Sequence, residues 1–138
     1  MNIYFAGAIR GGRDDRALYL EIVEQLRHYG RVLTEHIADP KLDDLGENAS
    51  DQMIHDRDLA WLREADCLVA EVTTPSLGVG YEIGRMTEWG RRILCLYRPS
   101  PNRALSAMIA ANEAAMVREY QGIEQVKVIF EEFFGSSK

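Results

Sequence analysis

Cysteine is scarce in this chain of 138 residues, which has only Cys67 and Cys95. Each sits inside an apolar run, "DCLVAEV" and "RRILCLY", where a free thiol behaves as a small buried hydrophobe. Their spacing fits no zinc or redox motif, and two buried free thiols are expected. No apolar run is long enough to span a membrane. The opening "MNIYFAGAIR" carries neither an early positive cluster nor a long apolar core, so no signal peptide is read there. A cytoplasmic protein is expected. Basic residues are in the minority, 16 against 22 acidic ones, for a formal charge of −6 and a pI near 5.1. That balance argues against a protein that coats polymeric nucleic acid. It leaves room for a small phosphorylated ligand, which needs only a few local donors. His28, His36 and His55 show no ligand spacing, so neither a metal nor a cofactor is expected. Repeats and low-complexity segments are absent, and 46% hydrophobic residues suffice for one core. Residues 1–138 read as a single domain.

What is present alternates strand and helix. "NIYFAGA" reads as a buried strand, and "IRGGR" as a turn broken by paired glycines. Leu18, Ile22, Val23 and Leu26 fall at helical spacing within Asp14 to Tyr29, and Gly30 stands just past that helix. "RVLTEH" is a short second strand. Residues 37–50 are polar and form the longest irregular stretch. A helix follows over Asp51 to Ala65, then the central strand "DCLVAEV", the loop "TTPSLGVG" and a helix opening near Gly80 or Tyr81. "RRILCLY" is a fourth strand, "ALSAMIAAN" a short helix, "AMVREY" a weak edge strand, and "GIEQVKVIFEEFF" a closing amphipathic helix. Such alternation predicts an α/β fold: a five-stranded, mostly parallel, flavodoxin- or Rossmann-like sheet of order 2-1-3-4-5 with helices on both faces. Ligands of such sheets sit at the carboxyl ends of the strands where the order reverses. Strands one and three flank that point, and the loops after them are "GAIRGGR" and "TTPSLGVGYE".

Both loops carry chemistry. In "GAIRGGR" the glycines let backbone N–H groups approach an anion, and Arg10 and Arg13 offer forked donors. The Gly-x-Gly-x-x-Gly and P-loop spacings are absent. A tight turn with two surface arginines explains the stretch equally well. In "PSLGVGYEIGR", Ser76 can cap a helix or contact phosphate, and Gly78 and Gly80 permit close approach. Glu82 would lie in the first helical turn, where the macrodipole favours the ionised carboxylate. Aimed into a cleft, it could attack an electrophilic carbon. A helix-start Glu is also common on surfaces, but the strand-end crevice tilts the reading to function. In "HDRDLAWL", Asp56 and Asp58 are two apart on a helix, so at most one can face that cleft. Ser106 alone would pass as surface filler.

Taken together, "YFAGAIRGGRDDR", "VLTEH", "IHDRDLAWL", "ADCLVAEVTTPSLGVGYEIGR", "RILCLYRP" and "LSAMI" resemble the 2′-deoxynucleoside 5′-phosphate N-hydrolases. These form the monophosphate-specific branch of the nucleoside 2-deoxyribosyltransferase superfamily. The resemblance runs from Ile3 to about Ile109. It implies Glu82 as the nucleophile at C1′, Asp58 as the carboxyl group assisting the departing base, and Tyr4 beside the sugar. It further implies Ile9, Arg10, Gly11, Gly12, Ser76 and Gly78 in the pocket for sugar and 5′-phosphate. Ser106 would reach the phosphate of the neighbouring subunit's site, so a homodimer is implied. Ala8 departs from the family, which has a serine there. The lost hydroxyl removes one donor to phosphate, roughly 1.5–3 kcal/mol.

The implied reaction is hydrolysis of a deoxynucleoside 5′-monophosphate to free base and 2-deoxyribose 5-phosphate through a glutamyl–sugar ester. One rival is a transferase that passes the sugar to a second base. Another is a nucleotide-sensing module without turnover.

Overall fold

In the computed structural model, residues 1–8, 13–34 and 50–135 are described, with the backbone alone at 13 and 14. The elements in chain order are β1 (Asn2–Ala6), α1 (Arg13–Leu26), β2 (Arg31–Val32), α2 (Asp51–Glu64), β3 (Cys67–Glu71), α3 (Leu77–Glu88), β4 (Arg92–Tyr97), α4 (Ala107–Ala110), β5 (Ala115–Glu119) and α5 (Ile123–Gly135). The five strands form one sheet in the order β2-β1-β3-β4-β5. Every pairing is parallel, so the sheet is wholly and not just mostly parallel.

Side chains of a strand alternate between faces, and here the alternation divides the core in two. Ile3, Phe5, Cys67, Val69, Leu94 and Leu96 pack against Ile22 and Leu26 of α1 and Phe130 and Phe133 of α5. Tyr4, Ala6, Leu68, Ala70, Ile93 and Cys95 pack against Leu62 of α2 and Val79, Ile83 and Met86 of α3. The middles of β1, β3 and β4 are therefore apolar on both faces, as burial on both sides demands. Cys67 and Cys95 are free, buried and on opposite faces of the sheet. Burial pushes both thiols up to about 12. Gly7 brings the end of β1 against α1: a Cβ there would fall 2.8 Å from the Tyr19 ring.

Two boundaries differ from the sequence reading for physical reasons. β2 stops at Val32 instead of running through "RVLTEH". Leu33 N still donates to Ile3 O at 2.9 Å. The Thr34 side chain then replaces the ladder: Oγ1 accepts from Phe5 N at 2.8 Å and donates to Phe5 O. Glu35 and His36 lie outside the described residues. The other difference is α3, which begins at Leu77 and not near Gly80 or Tyr81. Ser76 caps it by accepting from Val79 N at 3.3 Å, a cap that offsets the low helix propensity of Gly78 and Gly80.

Candidate active site

Tyr4 points to the α2/α3 face of the sheet because Ile3 and Phe5 point to the other. On α2, the i, i+4 spacing of Ile54, Asp58 and Leu62 turns one stripe toward the same place. On α3, Glu82 stands one turn beyond Gly78. These residues line a cleft of about 470 Å³. Gly7, Ala8, Thr74 and Ser76 complete its walls at the carboxyl ends of β1 and β3, the point where the strand order reverses. Asp58 is 31% exposed and accepts from Arg57 Nε at 3.1 Å. Asp56 is 62% exposed, bonded to Gln52 and His55, and does not line the cleft.

Tyr4 donates its hydroxyl to Glu82 Oε2. Burial pushes the Glu82 carboxyl from 4.5 up to about 7; Tyr4's hydrogen bond opposes that rise and the charge of Asp58 adds to it. Burial also raises the Tyr4 hydroxyl, as do the Glu82 and Asp58 charges, so it stays a donor. The expected stabilisation of Glu82 by the helix dipole therefore does not hold. Because α3 starts at Leu77, Glu82 lies in the second turn, where the macrodipole has largely faded. Desolvation dominates instead.

That shift has a measurable sign. The folded chain holds the Glu82 proton more tightly than the unfolded chain does. Below about pH 4.5 both states are protonated and Glu82 contributes nothing to pH dependence. Between about 4.5 and 7 native stability falls, because the unfolded chain ionises freely while the buried carboxyl keeps its proton. Glu82→Gln removes this slope, so the variant should gain on the native protein by on the order of 2 kcal/mol between pH 4 and pH 8. Urea unfolding at both pH values checks it, and parallel stability curves would refute the buried-carboxyl account.

Of the residues expected at the site, the structure gathers Tyr4, Asp58, Glu82, Ser76 and Gly78 around one cleft. Ile9, Arg10, Gly11 and Gly12 lie outside the described residues. A methyl added at Gly78 would meet only Ser76 Oγ, at 3.9 Å, so packing within the chain does not demand glycine there. Ser106 is exposed, caps α4 by accepting from Met108 N at 3.2 Å, and does not line this cleft. The sequence reading missed His55, Thr74 and Tyr81, all in the cleft wall. His55 Nε2 lies 3.4 Å from the Tyr81 hydroxyl, which also accepts from Arg85 Nη2 at 2.7 Å. Helical spacing held the signal for His55, three residues before Asp58 on the same face. Among the described residues, no group of three or more His, Cys, Asp or Glu side chains is placed to hold a metal ion. None of their helices is long and apolar enough to cross a membrane.

The family model described as nucleoside 2-deoxyribosyltransferase matches residues 3–125. A Mus musculus protein named 5-hydroxymethyl-dUMP N-hydrolase is 64% identical over 110 residues. The match covers 78% of this chain and 64% of that protein, so this chain spans less than two thirds of that relative's length. A Tetraodon nigroviridis protein of the same name is 48% identical over 143 residues, covering 100% of both chains. The solved structure of Clostridium botulinum CMP N-glycosidase, BcmB, has a TM-score of 0.67 at 18% identity, covering 96% of this chain and 99% of its own. That likeness is one of fold.

Proposed function

The chain belongs to the nucleoside 2-deoxyribosyltransferase family, and from that premise we propose that it hydrolyses the N-glycosidic bond of 2′-deoxynucleoside 5′-monophosphates. The observation that carries the reading is the convergence of Tyr4, Asp58 and Glu82 on one cleft whose lining also holds Ser76 and Gly78. Glu82, ionised, attacks C1′ while the C1′–N bond breaks and its electron pair leaves with the base. Asp58 supplies the proton that neutralises the departing base. Tyr4 donates to Glu82 and holds the carboxylate in line. Water then attacks C1′ of the glutamyl–sugar ester and gives up its proton to Asp58, releasing 2-deoxyribose 5-phosphate and restoring the Glu82 carboxylate and the Asp58 acid. Paired carboxyl groups in different environments suit this two-step chemistry. A missing 2′-hydroxyl eases formation of the cationic transition state.

The 5′-phosphate is assigned to the wall of Ser76 and Gly78, together with Ile9, Arg10, Gly11 and Gly12 of the loop after β1. Ser106 is assigned to the phosphate of a partner's site within a homodimer. Leu77 and Met108, near the caps of α3 and α4, are 96% and 82% exposed, and apolar side chains left to water are what a second copy would cover. The two free, buried thiols suit the proposed cytoplasmic location.

The names of the relatives make 5-hydroxymethyl-dUMP the first substrate to offer. Purified protein should release free base from it, with activity per molecule falling on dilution as the dimer separates. Added second base should yield no exchanged nucleotide. Failure to release base from any deoxynucleoside monophosphate ends the hydrolase reading, formation of an exchanged nucleotide replaces it with transfer, and dilution-independent activity removes the shared site.

A further inference from the structure

A second polar centre lies at the same edge of the sheet but on the α1/α5 face. Glu71 closes β3 with its side chain 1% exposed. Its carboxylate accepts from Thr73 N at 2.7 Å, from Thr73 Oγ1 at 2.9 Å and from the Tyr120 hydroxyl. Arg98 Nε stands 3.6 Å from Glu71 Oε2 as an ion pair. Arg98 Nη2 donates to Asp15 Oδ1 at 2.6 Å. Asp15 Oδ2 in turn accepts from Thr74 Oγ1 at 3.2 Å. Arg103 Nη1 reaches Thr73 O at 3.4 Å and Thr74 Oγ1 at 3.2 Å. Two carboxylates and two guanidiniums thus balance their charge.

A buried charge network is weak evidence for stability alone, since apolar packing often serves as well. What singles this one out is where it ends. Its bonds converge on Thr73 and Thr74, the two residues before Pro75 and the α3 cap Ser76, and Thr74, Pro75 and Ser76 all line the cleft. Asp15 divides its two oxygens between scaffold and wall: one takes Arg98, at the exit of β4, and the other takes Thr74. We propose that Asp15 is a positioning residue, a latch that fixes the Thr74–Ser76 wall of the cleft from the opposite face of the sheet. The effect on turnover rests on the deoxynucleotide reading of the cleft, with the phosphate against that wall. Fixing the wall in advance spares the substrate the ordering of a loop.

The test uses the full chain with Asp15→Asn and Thr74→Val, singly and together. Asp15→Asn should raise the KM for a deoxynucleoside monophosphate, and the inhibition constant of 2-deoxyribose 5-phosphate, about tenfold, the weight of one charge-assisted hydrogen bond. Turnover at saturation should stay within about twofold, because the reacting carboxyls are untouched. The double variant should lose less than the sum of the two single losses, since both break the Asp15–Thr74 link while Thr74→Val also removes the Arg103 contact. Amide hydrogen exchange at Ser76–Gly80 should quicken in Asp15→Asn while β4 keeps its protection. A lowered melting temperature with KM and exchange at native values would overturn the latch and leave a merely structural cluster. Additive losses would overturn it too. If the native protein releases no base, the functional reading of the cleft fails, and hydrogen exchange alone then decides the latch.

Discussion

Glu82→Ala should abolish base release while leaving a folded protein. The side chain removed is the one assigned to form the covalent bond to C1′, and nothing else in the cleft replaces it. Tyr4 holds its proton too tightly to serve, with burial and two neighbouring carboxyls opposing its ionisation. Asp58 comes from a different helix, α2, and is assigned to the departing base. Losing a covalent nucleophile costs at least about a thousandfold in rate, on the order of 4 kcal/mol of transition-state stabilisation. The fold should survive because the burial that raises Glu82 toward pH 7 opposes the native state whenever the carboxyl is ionised. Chromatographic assay of free base, beside a melting curve, checks both halves. Release at the native rate would remove Glu82 from the mechanism.

The second large effect belongs to Asp58→Asn. An amide keeps the size of the side chain and cannot supply the proton, so release should slow by about 10²–10⁴-fold. The deficit should shrink for a deoxynucleotide whose base departs readily as an anion, because such a base needs little protonation. Asp56→Asn is the control two residues away. Asp56 is outward-facing and tied to Gln52 and His55, so its loss should leave turnover unchanged. Equal deficits in the two variants, or the same deficit for good and poor leaving bases, would strip Asp58 of its role.

The order of the sheet was legible because β1, β3 and β4 carry apolar runs and α1, α2 and α3 between the strands carry a helical period. Strand-end loops could be matched to the reversal point from that order alone. Helical spacing said that only one of Asp56 and Asp58 could enter the cleft, and the structure puts Asp58 there. Three features were not legible, two of them for want of a partner far along the chain. The start of α3 depended on Ser76 capping a segment whose glycines read as loop. The raised Glu82 carboxyl depended on burial, which outweighs the opposing hydrogen bond from Tyr4, 78 residues away. The shortness of β2 depended on a threonine side chain imitating backbone. The Asp15 latch was invisible likewise, since Arg98 lies 83 residues from it. Tyr4, by contrast, owes its place to alternation within five residues.

The threonine has a consequence beyond the length of one strand. A sheet flank with unpaired amides and carbonyls invites another chain to add itself, the first step toward fibrous aggregation. Past Val32, Thr34 Oγ1 already occupies the amide and carbonyl of Phe5. An intruding strand would find the amide and carbonyl of Phe5 already taken, so a single hydroxyl closes that stretch of the flank to recruitment by its own kind.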